Sequence, residues 1–368
     1  MTKIKKTIGF TIGSLNPGGA ERVITCLANE LVANYNVIII TLEKCDSFYE
    51  LNPKIMLLNC NLIIPENQNM IGSIRNHSKT IKKISGFIKS ESIDLMIGFT
   101  TSVNVLSIIS AKLNNIPIII SERNNPIADP PNKFWKILRN SLYRFTDYLV
   151  VQTSSNKDFY AKIIPSKKIV IIKNPVAPTL TSKRIIREEN KKNKTILTVG
   201  RLDSNKSQDL LIKAYSNISN KNDWQLQIIG DGDKMDEYKT IAKDLNIDHT
   251  VSFLGNVSNV YDYYNNASIF VFTSKSEGYP NALAEALYFG IPSISTNCPH
   301  GPSDLIDNDI NGILIEVDNQ KMLEHQLKRL MIDEDLRDNL SKSAIVKSHK
   351  LDISLITSSW TEYFNKLL

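Results

Sequence analysis

Short apolar runs recur along the chain, each followed by a stretch with helical spacing. Thr7–Ile12, Asn36–Leu42, Asp94–Phe99, Ile116–Ser121, Tyr148–Gln152 and Lys168–Ile172 read as strands. The pattern then restarts with Thr195–Gly200, Trp224–Gly230, Thr250–Leu254, Ser268–Thr273, Pro292–Thr296 and Gly312–Ile315. Strands that stay apolar instead of alternating are covered on both faces, and their alternation with helices predicts parallel sheets of the α/β class. Between the two series lies Lys173–Lys194, with Asn174-Pro175, Pro178 and a charged run, which reads as a linker. The expectation is two doubly wound, Rossmann-like domains facing across a cleft, with ligands outside the carboxyl ends of their strands. Val37–Leu42 and Ile116–Ile120 fall short of the ~18 apolar residues a membrane helix needs. Lys3, Lys5 and Lys6 precede an apolar stretch, but Gly9, Gly13 and Asn16 interrupt it, which predicts a first strand and not a signal peptide.

Length supports this division, since 368 residues exceed the ~100–150 of one domain. A content of 42% hydrophobic and 22% charged residues excludes a disordered chain. Cys26, Cys45, Cys60 and Cys298 form no CxxC pair and read as reduced thiols, and the five histidines form no HExxH, so no metal centre is expected. Charge changes the picture more. Residues 1–176 carry 22 Lys+Arg against 12 Asp+Glu, net +10, whereas residues 177–368 carry 22 against 26, net −4. The basic half keeps nucleic acid, anionic membrane and phosphorylated small molecules open as partners.

Three segments carry candidate chemistry. Gly13–Arg22 brings Gly18 and Gly19 to a strand-to-helix turn, where backbone amides can approach an anion; a plain tight turn explains it equally well. Gly200-Arg201-Leu202-Asp203-Ser204-Asn205-Lys206 sets two cations just past a strand end, as a phosphate clamp or as solvated surface. Glu277-Gly278-Tyr279-Pro280-Asn281-Ala282-Leu283-Ala284-Glu285 follows a buried strand, with Pro280 suited to the first turn of a helix and Glu277 just outside its positive end.

Glu277 and Glu285 resemble the EX7E pattern of retaining GT-B glycosyltransferases of family four, and Gly200, Arg201 and Lys206 resemble its GR…K motif. GGAER, the Gly230–Asp233 and Phe253–Gly255 segments, Asp46–Leu51 and Ser121–Asn124 extend the similarity over nearly the whole chain, towards bacterial transferases that add N-acetylgalactosamine or hexose to undecaprenyl-diphosphate-linked oligosaccharides. The resemblance implies an acceptor domain at residues 1–175, completed by a helix at about 352–368 that crosses back, and a donor domain at 176–351. It implies a UDP-sugar donor and transfer with retention. Arg201 and Lys206 would neutralise the departing diphosphate, assisted by backbone amides of Gly18 or Gly19 and of Ala282 and Leu283. Glu277 would hold sugar hydroxyls and Glu285 the ribose, with Gly230, Asp231, Gly278, Pro280 and Asn281 completing the donor pocket. No cofactor and no metal is implied, so Asp231 and Asp233 are not read as a metal-binding pair. Where many relatives place a histidine near the acceptor, this chain has Glu122-Arg123.

Met70–Ser90 reads as a helix with Arg75, Lys79, Lys82, Lys83 and Lys89 beside apolar residues, and Asn132–Phe145 mixes Lys133, Lys136, Arg139 and Arg144 with aromatics. With a lipid-diphosphate acceptor implied, the expectation is a cytoplasmic enzyme, peripheral at the inner face of the plasma membrane, with Arg123, Arg75, Lys79 and Lys82 on the acceptor or membrane side. Nucleic acid drops out for want of any recognition module. The rivals are a sugar-nucleotide epimerase or a nicotinamide dehydrogenase on a similar frame, and a non-catalytic sugar-nucleotide or lipid-binding module. The dehydrogenase requires a GxGxxG that is absent, and the signature of the module would be loss of Glu277, Arg201 or Lys206, all present.

Overall fold

The computed structural model describes residues 5–62, 70–185 and 193–368, without the side chains of 70–74. Two compact units emerge, one of residues up to Ala177 together with Ile353–Leu368, the other of Pro178–Asp352.

Unit 1 runs β1 (Thr7–Ile12), α1 (Gly19–Leu31), β2 (Asn36–Thr41), β3 (Met56–Asn59), α2 (Met70–Ser90), β4 (Leu95–Phe99), α3 (Thr101–Leu113), β5 (Ile118–Ser121), α4 (Lys133–Leu142), β6 (Tyr148–Val151), α5 (Ser154–Tyr160) and β7 (Ile169–Ile171). Among the described residues its strands form one parallel sheet in the order β3-β2-β1-β4-β5-β6-β7. Successive side chains of a strand point to opposite faces. Val37 and Ile39 accordingly enter one core with Phe10, Leu27 and Phe99, while Ile38 and Ile40 enter the other with Ile84, Ile88 and Leu106. Continuous apolar strands are thus a consequence of burial on both sides.

Unit 2 runs α6 (Pro178–Thr181), β8 (Thr195–Val199), α7 (Gln208–Ser216), β9 (Gln225–Ile229), α8 (Met235–Asp244), β10 (Val251–Gly255), α9 (Val260–Asn266), β11 (Ile269–Phe272), α10 (Asn281–Tyr288), β12 (Ser293–Thr296), α11 (Pro302–Leu305), β13 (Ile313–Ile315), α12 (Gln320–Ile332) and α13 (Glu334–Ser348). Its parallel sheet is ordered β10-β9-β8-β11-β12-β13. The chain then returns to unit 1 as α14 (Ile353–Asn365), whose Ile353, Ile356, Trp360 and Phe364 join the core lined by α1. The Trp360 ring stacks on Phe99 at 6.1 Å.

In each sheet the strand order reverses once, between β1 and β4 and between β8 and β11, and the crevice at such a point takes the ligand. The loops following β8 and β11 are those that carry GR…K and EX7E.

Two expectations need correction. β3 was not foreseen: it is a four-residue edge strand with Met56 and Leu57 exposed, too short and one-sided to show the pattern of its neighbours. The segment from Lys173 is not an open linker at its start, because Asn174, Val176 and Ala177 are buried and Pro178–Thr181 is helical. Most of its charged run, residues 186–192, lies outside the described residues, as does Lys3.

Candidate active site

In unit 2 the loop after β8 is shaped by Asp203. Its Oδ1 accepts from the amides of Asn205 at 3.0 Å and Lys206 at 2.9 Å, and its Oδ2 from Arg201 Nε at 2.7 Å. Burial works against the charge of this carboxylate, but the Lys206 amide and the Arg201 guanidinium outweigh it and hold the carboxyl below its ordinary range. The GR loop also runs against the loop after β9: Leu202 N donates to Asp231 O at 2.9 Å and Lys234 N to Leu202 O at 3.1 Å. Glycine is required there, for Gly230 has φ +129° and a Cβ on it would stand 2.0 Å from Gly200 O.

The loop after β11 is stitched to the same place. Lys275 N donates to Asn205 O at 2.8 Å, Asn205 Nδ2 to Ser276 O at 2.9 Å, and Thr273 Oγ1 to Lys206 O at 2.7 Å. The result is a 2.5 Å ion pair between Lys206 Nζ and Glu277 Oε1, with those side chains 22% and 9% exposed. Lys206 also lies 5.5 Å from the centre of the Phe272 ring. Arg201 is 76% exposed and reaches solvent, while its pairing with Asp203 leaves two guanidinium nitrogens uninvolved in that contact.

Pro280 is not in the first turn of the following helix but caps it, since α10 begins at Asn281. Having no side-chain group to offer, Pro280 leaves the Ala282 and Leu283 amides uncapped at the positive helix end. Glu285, eight positions after Glu277, is buried on α10 and accepts from Tyr264 Oη at 2.9 Å. Asp231 Oδ1 accepts from its neighbour's amide, Gly232 N, at 2.8 Å. Among the described residues no group of three or more His, Cys, Asp or Glu side chains could hold a metal ion.

A third loop, after β12, closes on these two, and sequence reasoning missed it. Thr296 Oγ1 donates to Ser274 O at 2.6 Å. Cys298 is buried, and burial together with the Glu277 carboxylate pushes its thiol up to about 12, against the pull of Lys206. Gly301, with φ +128°, packs so closely on Pro280 that a Cβ would stand 2.3 Å from Pro280 Cδ. Between them lies His300. The run Pro-His-Gly-Pro after a buried strand was the available signal.

In unit 1 the turn after β1 holds Gly18 in extended backbone as the N-cap of α1, with Gly19 opening the helix. The Glu21 carboxylate folds back over Gly18, where a Cβ would stand 2.0 Å from Glu21 Oε2. Tyr49 Oη donates to Gly18 O at 3.2 Å and Phe48 N to Leu15 O at 3.0 Å, so the Asp46–Leu51 segment folds onto the glycine turn. After β5, Glu122 is fully enclosed. It accepts from Tyr143 Oη, from Thr101 Oγ1 at 3.1 Å and from Asn104 Nδ2 at 3.2 Å, and burial raises its carboxyl above the ordinary value despite these donors. Arg123 turns to the opposite face, donates to Asn174 Oδ1, and lies 4.7 Å from the Phe99 ring centre and 5.9 Å from that of Trp360.

Arg123 is therefore packed inside unit 1 at 9% exposure. Arg139 also departs from expectation: it is 2% exposed, beside the Phe159 and Tyr160 rings, so it does not belong to the basic face of α4. Arg75, Lys79 and Lys82 are exposed on α2. Helix α4 adjoins it through His77 and Trp135, whose rings are 4.9 Å apart, and exposes Phe134 and Ile137 among Lys133 and Lys136. Among the described residues no helix is long and apolar enough to cross a membrane.

Comparison with known proteins establishes the family. The family described as Glycosyltransferase Family 4 matches residues 17–180 and that described as Glycosyl transferases group 1 matches residues 181–347. The chain is 31% identical over 358 residues, 96% of each chain, to the GalNAc-alpha-(1->4)-GalNAc-alpha-(1->3)-diNAcBac-PP-undecaprenol alpha-1,4-N-acetyl-D-galactosaminyltransferase of Campylobacter jejuni. It is 28% identical to the N-acetylgalactosamine-N,N'-diacetylbacillosaminyl-diphospho-undecaprenol 4-alpha-N-acetylgalactosaminyltransferase of the same organism, over 94% of this chain and 95% of that one. A glycosyltransferase from Rickettsia africae superposes with a TM-score of 0.81 at 19% identity, covering 99% of both chains. Anabaena HepE, solved with UDP, superposes with a TM-score of 0.78 at 16% identity, covering 98% of this chain and 100% of that one. At those identities the two structures speak for the fold, and the sequence matches speak for the enzyme class. The chain belongs to the group 1, family 4 glycosyltransferases and has their GT-B fold.

Proposed function

We propose that this enzyme moves N-acetylgalactosamine, N-acetylglucosamine or a hexose from a UDP-sugar to a lipid-diphosphate-linked glycan in bacterial polysaccharide assembly, with retention at the anomeric carbon. The observation that carries this reading is the meeting of Lys206, Glu277 and the uncapped start of α10 at the switch point of unit 2. Unit 2 takes the donor and unit 1 the acceptor, which the names of the two Campylobacter relatives give as undecaprenol-linked.

Each group has a separable task. Arg201 and Lys206 face the diphosphate as it departs, with the Ala282 and Leu283 amides adding fixed dipoles. Charge held ready for a developing anion is the largest effect such a site can exert. Glu277 accepts from hydroxyls of the transferred sugar and holds Lys206 in position until the phosphate arrives. Glu285, oriented by Tyr264, accepts from the ribose, and Gly230, Asp231, Gly278 and Asn281 line the pocket. Two cations beside the leaving group do the work of a metal ion, so none is required. A water-soluble donor and a lipid acceptor fit an enzyme lying on the inner face of the plasma membrane, held by α2 and α4.

The test offers a panel of UDP-sugars together with a polyprenyl-diphosphate oligosaccharide and follows product by mass and anomeric configuration, with and without EDTA. An α-linked product from an α-linked donor, formed equally in EDTA, is expected. Inversion, or a strict need for added magnesium or manganese, would overturn the mechanism.

A further inference from the structure

We infer that His300 is a donor-contact residue that reads the hydroxyl pattern of the transferred sugar. This rests on the UDP-sugar reading above and assigns one more residue to the same site.

Three independent observations converge on it. The first is backbone strain. His300 has φ +66°, a left-handed conformation that is costly for a residue with a β-carbon. Glycine or asparagine would hold the same turn at less cost, so the turn alone does not call for an imidazole. The second is an unmet polar group. His300 is 5% exposed, and its Nδ1 is buried with no hydrogen-bond partner among the described residues. A buried polar atom left unpaired is costly, which suits a group whose partner is a bound molecule. The third is position. Gly301 is seated on Pro280 at the head of α10, Thr296 Oγ1 donates to Ser274 O, and Cys298 lies in the field of the Lys206 and Glu277 pair, so His300 belongs to a loop anchored on the donor loop both before and after it.

Protonation tells which part of the donor it would meet. Burial holds the imidazole below its ordinary value, with Asp304 opposing only in part, so the ring is neutral near pH 7. A neutral imidazole presents one donor and one acceptor nitrogen, which matches a hydroxyl. A diphosphate would instead favour a cation, and Arg201 and Lys206 already supply that.

The experiment compares UDP with UDP-sugar binding by calorimetry for the wild type, His300→Gly and His300→Asn, with melting temperatures as a control on folding. Both replacements tolerate the left-handed backbone, so both should fold. His300→Gly should weaken the preferred UDP-sugar roughly tenfold while changing UDP by less than about twofold. His300→Asn, keeping a donor and an acceptor on a shorter arm, should recover part of the loss and alter the ranking among UDP-sugars. Equal losses for UDP and UDP-sugar, or no loss for either, would overturn the inference and leave the donor reading intact. A wild type that binds neither ligand would overturn the donor reading, and the inference with it.

Discussion

Lys206 and Glu277 hold each other in the absence of any ligand, which makes their contributions to stability and to turnover separable. Removing either partner leaves the other charge largely buried, and breaking such a pair costs on the order of 1–3 kcal/mol where some solvent remains. Lys206→Ala and Glu277→Ala should each lower the melting temperature, and the double variant should melt above the poorer single. Turnover should fall by about 10²–10³ in each single variant and should not recover in the double. Melting and steady-state rates on the three proteins check this; recovered turnover in the double variant would mean that the pair is structural only. Both residues were legible in the sequence because each stands in a motif of fixed spacing. Asp203 and His300 were not, since what they do depends on backbone amides and loop packing that spacing does not encode.

At the scale of elements, α2 and α4 present lysines and arginines beside exposed Phe134 and Ile137. Each such cation near an anionic bilayer is worth about 1 kcal/mol and is screened over about a Debye length. Reversing Arg75, Lys79 and Lys82 to Glu should abolish flotation with phosphatidylglycerol vesicles at low salt and slow transfer to a long-chain lipid acceptor, with UDP-sugar affinity unchanged. Flotation unaffected by the triple change would show that these helices are merely solvated. Arg139 illustrates why a count of basic residues misleads. A helix turns about 100° per residue, so six positions after Lys133 the side chain has come round to the side of Trp135 and Leu142. The sequence held that information, and composition concealed it. The buried strands were readable for the opposite reason: two-sided burial makes nearly every position apolar, whereas the edge strand β3 has half its residues facing water.

For the whole molecule, α14 matters out of proportion to its length. Trp360 and Phe364 are nearly inaccessible in the core of unit 1, and truncating such an aromatic costs roughly 3–5 kcal/mol. Trp360→Ala should therefore lower the unfolding midpoint of unit 1 while unit 2, which lacks this contact, keeps its own, as hydrogen exchange resolved by segment can read. A uniform loss of protection across both units would refute that independence. The same arrangement sets an order of events during synthesis. Unit 2 is a continuous stretch, Pro178–Asp352, and can close as soon as it leaves the ribosome. Unit 1 emerges first but lacks its final helix until residues 353–368 follow, some ten to thirty-five seconds later at ~5–20 residues per second. Throughout that interval the apolar side of α1 that α14 will cover stands open to water. The half made first is thus completed last, and a nascent chain stalled anywhere in unit 2 offers chaperones and proteases an unfinished neighbour.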